Sequence, residues 1–133
     1  MILLSMLFTM TLFPDTITDL EQALQQAPDV EKSVILNKIL KHLREKDERW
    51  DDKQTEKVRK FTAKALEYAR TYQQKDQEVY ALAHLGYFYR KQRDFEQALY
   101  YANKSLELAE RRKKNRGIVY ALDVVAIIHT EIP

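Results

Sequence analysis

The 133-residue chain carries only two glycines and three prolines, too few for the turns of an all-β or α/β protein of this size, so helix is the expected state throughout. Its 22 basic and 20 acidic side chains leave a formal charge of +2, which makes long-range attraction to nucleic acid or to an acidic membrane weak. Without cysteine there is no disulfide, no thiolate metal site and no cysteine nucleophile, and 32% charged with 45% hydrophobic residues suits helices that turn one apolar stripe to a shared core.

The first thirteen residues, Met1 to Phe13, are uncharged and almost wholly apolar, and Pro14 and Asp15 end the run. A bilayer-spanning helix needs about 20 residues, so this run is too short to cross a membrane. It reads as a secretory signal or its remnant, or as an apolar strap on the first helices; basic residues ahead of it and a small-x-small cleavage site are both missing. An exported or membrane-associated location is slightly favoured over a cytoplasmic one.

Residues 14–133 are expected to form one helical domain. A helix is expected at 16–26 and a second at 30–46, where Pro28 suits the start and Val34, Ile35, Ile39, Leu40 and Leu43 recur at helical spacing. The segment 46–53 (KDERWDDK) is the longest connection, and its Trp50 is expected to pack over the end of the first helix pair. Helices follow at 54–73, 77–91 and 95–114, with Asp94 placed to cap the last of these. The run Arg111 to Arg116 reads as a stop, where cations meet the helix C-terminus and Asn115 or Gly117 takes the left-handed turn. A final helix at 118–130 is apolar around most of its circumference.

An internal repeat organises these elements. Laying residues 55–82 over 95–122 at a constant shift of 40 pairs Glu56 with Glu96, Lys64 with Lys104, Leu66 with Leu106, Glu67 with Glu107 and Ala69 with Ala109. It then pairs the run Val79 to Leu82 with Val119 to Leu122. The repeating unit is a helix pair: 30–46 with 54–73, then 77–91 with 95–114, then a third opened by 118–130 that receives no second helix.

In the better unit, Leu82, Leu85, Gly86 and Tyr89 on the first helix and Ala98 on the second resemble the tetratricopeptide repeat. A glycine inside a helix costs about 1 kcal/mol relative to alanine, so Gly86 makes sense where a facing helix settles against it. The chain departs from the family pattern at Arg93, where the turn glycine is usual, and at Ala102 and Ser105, and no proline follows the second helix. Its period of 40 exceeds the common length of about 34 and is similar to the extended repeats of bacterial sensor and regulator proteins. The stretch Asp19 to Leu24, followed by Leu36-Asn37 and Ala65 to Ala69, looks like the exported repeat region of bacterial sensor histidine kinases. No kinase residues accompany it, so only a sensing role would carry over.

The resemblance implies an all-α, right-handed solenoid whose first helices line an inner face that binds a protein or peptide. The inward positions would be Asn37, Lys41 and Arg44, then Tyr80, Tyr87, Arg90 and Lys91, then Tyr120, Asp123 and Ile127. Three tyrosines among several cations suit an extended or helical peptide with aromatic or acidic side chains. Tyr80 and Tyr120 serve equally well as filler between repeats, and Lys41, Arg44, Arg90 and Lys91 as a solvated face. The residue set by which some family members clamp a C-terminal carboxylate is not reproduced here.

No catalytic set, metal site, cofactor or small-molecule substrate is expected. His42, His84 and His129 lie far apart, and His129 occupies the place of Tyr89 one repeat later, which suggests packing. The three serines sit beside no candidate base, and no glycine-rich loop is present for phosphates. An alternative reading assigns the basic run 111–116 to nucleic acid or anionic membrane. The apolar helix 118–130 is expected to need cover, by self-association or by further chain.

Overall fold

A computed structural model describes residues 16–133; the apolar leader expected at 1–13 lies outside the described residues. The described residues form six helices and no strand: α1 (Ile17–Gln26), α2 (Asp29–Lys46), α3 (Asp52–Thr71), α4 (Lys75–Lys91), α5 (Phe95–Arg112) and α6 (Asn115–Glu131). The all-α expectation is met, with helix ends displaced from the expected ones by no more than three residues.

Local chemistry explains several of those ends. Thr16, Asp51 and Asp94 each accept a hydrogen bond from the backbone N–H three residues on, at Asp19, Gln54 and Gln97. Asp47, Gln73, Arg93 and Lys113 take the left-handed conformation in the connections after α2, α3, α4 and α5. The turn after α5 is therefore made by Lys113, not by Asn115 or Gly117 as expected. Asn115 opens α6, and Gly117 lies inside it, where a Cβ would meet Val79 Cγ1 at 3.4 Å. That is ordinary contact distance, so the packing would admit a Cβ at Gly117, and the turn falls at Lys113 instead.

The repeat is visible in what is buried. Val58, Thr62, Ala65 and Ala69 of α3 and Ala98, Ala102, Ser105 and Ala109 of α5, related position by position by the shift of 40, are all buried. Their spacing of four, three and four residues draws one narrow stripe along each helix. Mostly small side chains in that stripe let the first helix of each pair come close. At the closest point an added Cβ on Gly86 would stand 3.1 Å from Ala102 Cβ, Ala102 N and Ala98 O. The buried Ser105 hydroxyl donates to the Val79 carbonyl oxygen at 2.6 Å, tying the same two helices together.

The packing order follows. α2 rests on α1, α3 and α4, while α4 rests on α2, α3, α5 and α6, and α5 also touches α6. The second helices α3 and α5 do not touch one another. Two apolar clusters result, one centred on Leu20, Leu36, Ile39, Leu40, Leu43, Val58 and Phe88, the other on Tyr87, Ala98, Ala102, Val124 and Ile128. Trp50 and Tyr89 pack against both, so the tryptophan of the long connection seals the joint between the units.

The outer face of α6 repeats the face by which α4 receives α5. Val79, Gly86 and Tyr89 contact Ser105, Ala102 and Tyr101, respectively. One repeat later Val119, Ala126 and His129 are all exposed, Val119 to 65% and the neighbouring Leu122 to 47%. The packing role expected for His129 is not realised, because among the described residues no helix stands beside α6 as α5 stands beside α4.

Two substitutions should act in opposite directions in urea denaturation. Gly86→Leu forces a side chain against backbone atoms that cannot rotate aside, and should cost roughly 1–3 kcal/mol or more. Lys113→Gly relieves a left-handed conformation at an exposed residue, and should add about 1 kcal/mol.

Candidate functional site

The first helices of the units, α2, α4 and α6, begin at Asp29, Lys75 and Asn115, offsets of 46 and then 40 residues. Across the joint between α2 and α4, Asn37 faces Gln77, and Arg44 and Asp47 face Tyr87. Between these three helices runs an open trough of about 840 Å³. α2 and its C-cap contribute Lys41, Arg44, Glu45 and Asp47, and α4 contributes Tyr87 and Arg90. α6 contributes Asn115, Arg116, Val119, Tyr120, Asp123 and Ile127.

Arg44 anchors the floor. Its side chain is 12% exposed and pairs with Asp123 on α6, reaching past α4 to a helix whose backbone stays apart from that of α2. The guanidinium lies 4.7 Å from the Tyr120 ring centre and 5.6 Å from that of Tyr87. Such contacts contribute about 0.5–2 kcal/mol where water is partly excluded, and they keep the cation in place without a second carboxylate.

Arg90 makes the corresponding anchor one repeat later. Its Nε donates to Glu131 Oε2 at 2.8 Å, a second nitrogen pairs with Oε1, and the guanidinium lies 4.9 Å from the Tyr87 ring centre. The hydrogen bond to Glu131 raises the arginine pKa, and the same bond lowers that of Glu131. The Tyr87 hydroxyl donates to Asp47 Oδ1 at 2.7 Å. Burial, reinforced by that bond, pushes the phenol pKa up to about 12, while the hydrogen bond from Tyr87 and then that from Lys91 lower the Asp47 pKa.

A smaller pocket of about 240 Å³ adjoins the trough and shares Lys41, Arg116 and Tyr120 with it. Here Tyr80 meets Tyr120 edge to face at 5.2 Å, and His84 meets Tyr120 at 5.4 Å with the tyrosine hydroxyl 3.3 Å from His84 Nε2. Burial, aided by the charge of Arg44, lowers the His84 pKa to about 3, so the ring is neutral at physiological pH.

Seven of the ten residues singled out in the sequence therefore line one trough: Lys41, Arg44, Tyr87, Arg90, Tyr120, Asp123 and Ile127. Asn37 and Tyr80 line the adjoining pocket instead, and Asn37 is buried with its Nδ2 donating to the Gln77 carbonyl oxygen and to Gln77 Oε1. Lys91 lines neither. One residue beyond Arg90 on the helix, it turns to the long connection, where its ammonium meets Asp47 Oδ1 at 3.0 Å and lies 5.2 Å from the Trp50 ring centre.

Sequence reasoning missed Glu45, Asp47, Asn115, Val119 and His84, together with the place of Arg116. A separate alignment of the first helices would have pointed to the α2 C-terminus, but the bond between Asp47 and Tyr87 has no local sequence signal. The basic run 111–116 is also divided by the fold: Arg112 pairs with Asp76 at 3.1 Å, Lys113 forms the turn and Arg116 faces the trough.

No described helix is long and apolar enough to cross a membrane, and no three histidine or carboxylate side chains cluster as metal ligands among the described residues. Compared with protein-family models, curated proteins and solved structures, the chain gives no significant match to any.

The buried imidazole sets a pH dependence. Between pH 6.5 and about 3 the unfolded chain binds a proton at His84 that the folded chain does not, so this contribution leaves stability intact above pH 6.5 and erodes it as pH falls. At pH 5 the loss from this group should be about 2 kcal/mol. Urea denaturation at pH 7 and pH 5 should show that loss in the parent and not in His84→Gln; equal losses in both would assign the titration elsewhere.

Proposed function

We propose that the helix pairs form a short right-handed solenoid of the tetratricopeptide type and that the chain is a protein-binding scaffold, holding a peptide segment of its partner along the trough. The observation that carries the reading is that all three first helices contribute to one concave surface, with a floor of Tyr87 and Tyr120 around Arg44. The contact order among the helices agrees with it, since each first helix touches the next first helix while the second helices stay apart.

The dimensions suit an extended segment. From Asn115 to Ile127 the trough follows α6 for about 18 Å, room for about five residues of extended chain. The floor is pre-organised: Arg44, Arg90 and Tyr87 are already held by partners within the chain, so a ligand would not bear the entropy of ordering them. Exposed Arg116 and Val119 and the half-buried Ile127 along its sides are free to select side chains. The floor aromatics and arginines are of the kinds that dominate protein interfaces.

A displayed library of random peptides selected on the purified protein should enrich a common motif. Affinity for the enriched peptide should fall at least tenfold in the double variant Val119→Asp and Ile127→Asp, and stay unchanged when Arg59 and Lys64 on the distant helix α3 are replaced by glutamine. Binding that survives the trough variant would exclude the trough as the site.

A further inference from the structure

The small pocket beside the trough differs from it in charge. In the trough each floor cation has a carboxylate: Arg44 has Asp123, and Arg90 has Glu131 with Asp47 at 3.8 Å. The lining of the small pocket contains Lys38, Lys41 and Arg116 and no carboxylate at all. Among the described residues Lys38 and Arg116 form no ion pair, and Lys41 meets Glu45 at 3.8 Å with both side chains more than half exposed. Three exposed cations thus stand around a concave site with no acid in its wall, so an anion there meets their summed attraction without a competing carboxylate.

An independent feature lies in the wall. Asn37 is 5% exposed, and its Oδ1 is buried without a hydrogen-bond partner. The amide orientation is set by Nδ2, which donates at 3.0 Å both to the Gln77 carbonyl oxygen and to Gln77 Oε1. Turning the amide over would place Oδ1 against the Gln77 carbonyl oxygen, which also only accepts. That oxygen has no accessible surface and is sealed beneath the pocket wall, so the polar groups open to a ligand are the three cations.

Resting on the peptide-binding reading above, we propose that this pocket is an acid-selective subsite. It takes an internal aspartate or glutamate of the bound segment on Lys38, Lys41 and Arg116. Tyr80 and Tyr120 form the apolar part of its wall. The subsite adds a charge requirement to a trough whose own floor is electrically balanced.

The test uses a fluorescein-labelled nonapeptide alternating glutamate with alanine, acetylated and amidated so that no terminal charge remains, beside its glutamine counterpart. Fluorescence anisotropy with the full chain should show the glutamate peptide binding at least tenfold tighter than the glutamine peptide. The double variant Lys38→Gln and Arg116→Gln, which changes exposed side chains only, should remove that preference, whereas Arg59→Gln with Lys64→Gln should keep it. The Asn37 side-chain amide signal in the NMR spectrum should shift on binding.

Equal binding of the two peptides, with the trough signals shifted, would overturn the acid subsite and leave the peptide-binding trough standing. A preference for glutamate that survives Lys38→Gln with Arg116→Gln, or that inorganic sulfate and polyphosphate abolish as readily as the peptide itself competes, would overturn it as general anion attraction. Absence of binding by either peptide would also overturn it, while the library selection tests the trough separately.

Discussion

The arrangement depends on how closely α4 lies against α5. A single methyl at Gly86 would press on the backbone of α5 at two points, so only glycine permits this separation. Ala98 and Ala102 on the other side are the smallest side chains a helix uses without loss of propensity. Once the pair is set, α4 is covered by α5 on one side and by α2, α3 and α6 on others, and residues from Glu78 to Phe88 are buried almost continuously. The orientation of α4 decides which of its side chains remain between α2 and α6: Tyr87 and Arg90 in the trough, and Gln77, Tyr80 and His84 in the smaller pocket.

Charge placement in the trough follows from that geometry. The Arg44 and Arg90 side chains are nearly as buried as the core, at 12% and 13% exposure, and each is held by a carboxylate on α6 and an aromatic ring. Breaking such a partly buried pair by removing one member is costly, because the other is left uncompensated away from water. The pairs therefore fix the position of α6 relative to α2 and α4 more than they add to net stability. They also leave the selective work to the exposed groups that form no ion pair among the described residues, Lys38 and Arg116.

The same repetition that builds the interior exposes α6. Val119, Ala126 and His129 stand where Val79, Gly86 and Tyr89 meet α5, and a face formed for close packing is left open among the described residues. His129 shows how a repeat can mislead: its position in the register matches a packed tyrosine, but packing belongs to the pair of helices and not to one position.

The sequence by itself determined the helices, their order, the repeat that relates α3 to α5 and the need for glycine at position 86. Each is set by interactions within one helix or by the shift of 40 that maps one pair on the next. Most residues of the trough were legible for the same reason, since positions on one face of a helix follow from its period. Only the tertiary structure decided that Arg44 reaches Asp123 across α4, that Asp47 holds the Tyr87 hydroxyl, that Lys91 turns away and that Arg116 leaves its basic run for the trough. These depend on the angles at which three helices meet and on where each chain turn falls. A connection five residues long in one unit and three in the next alters both without disturbing any helical pattern.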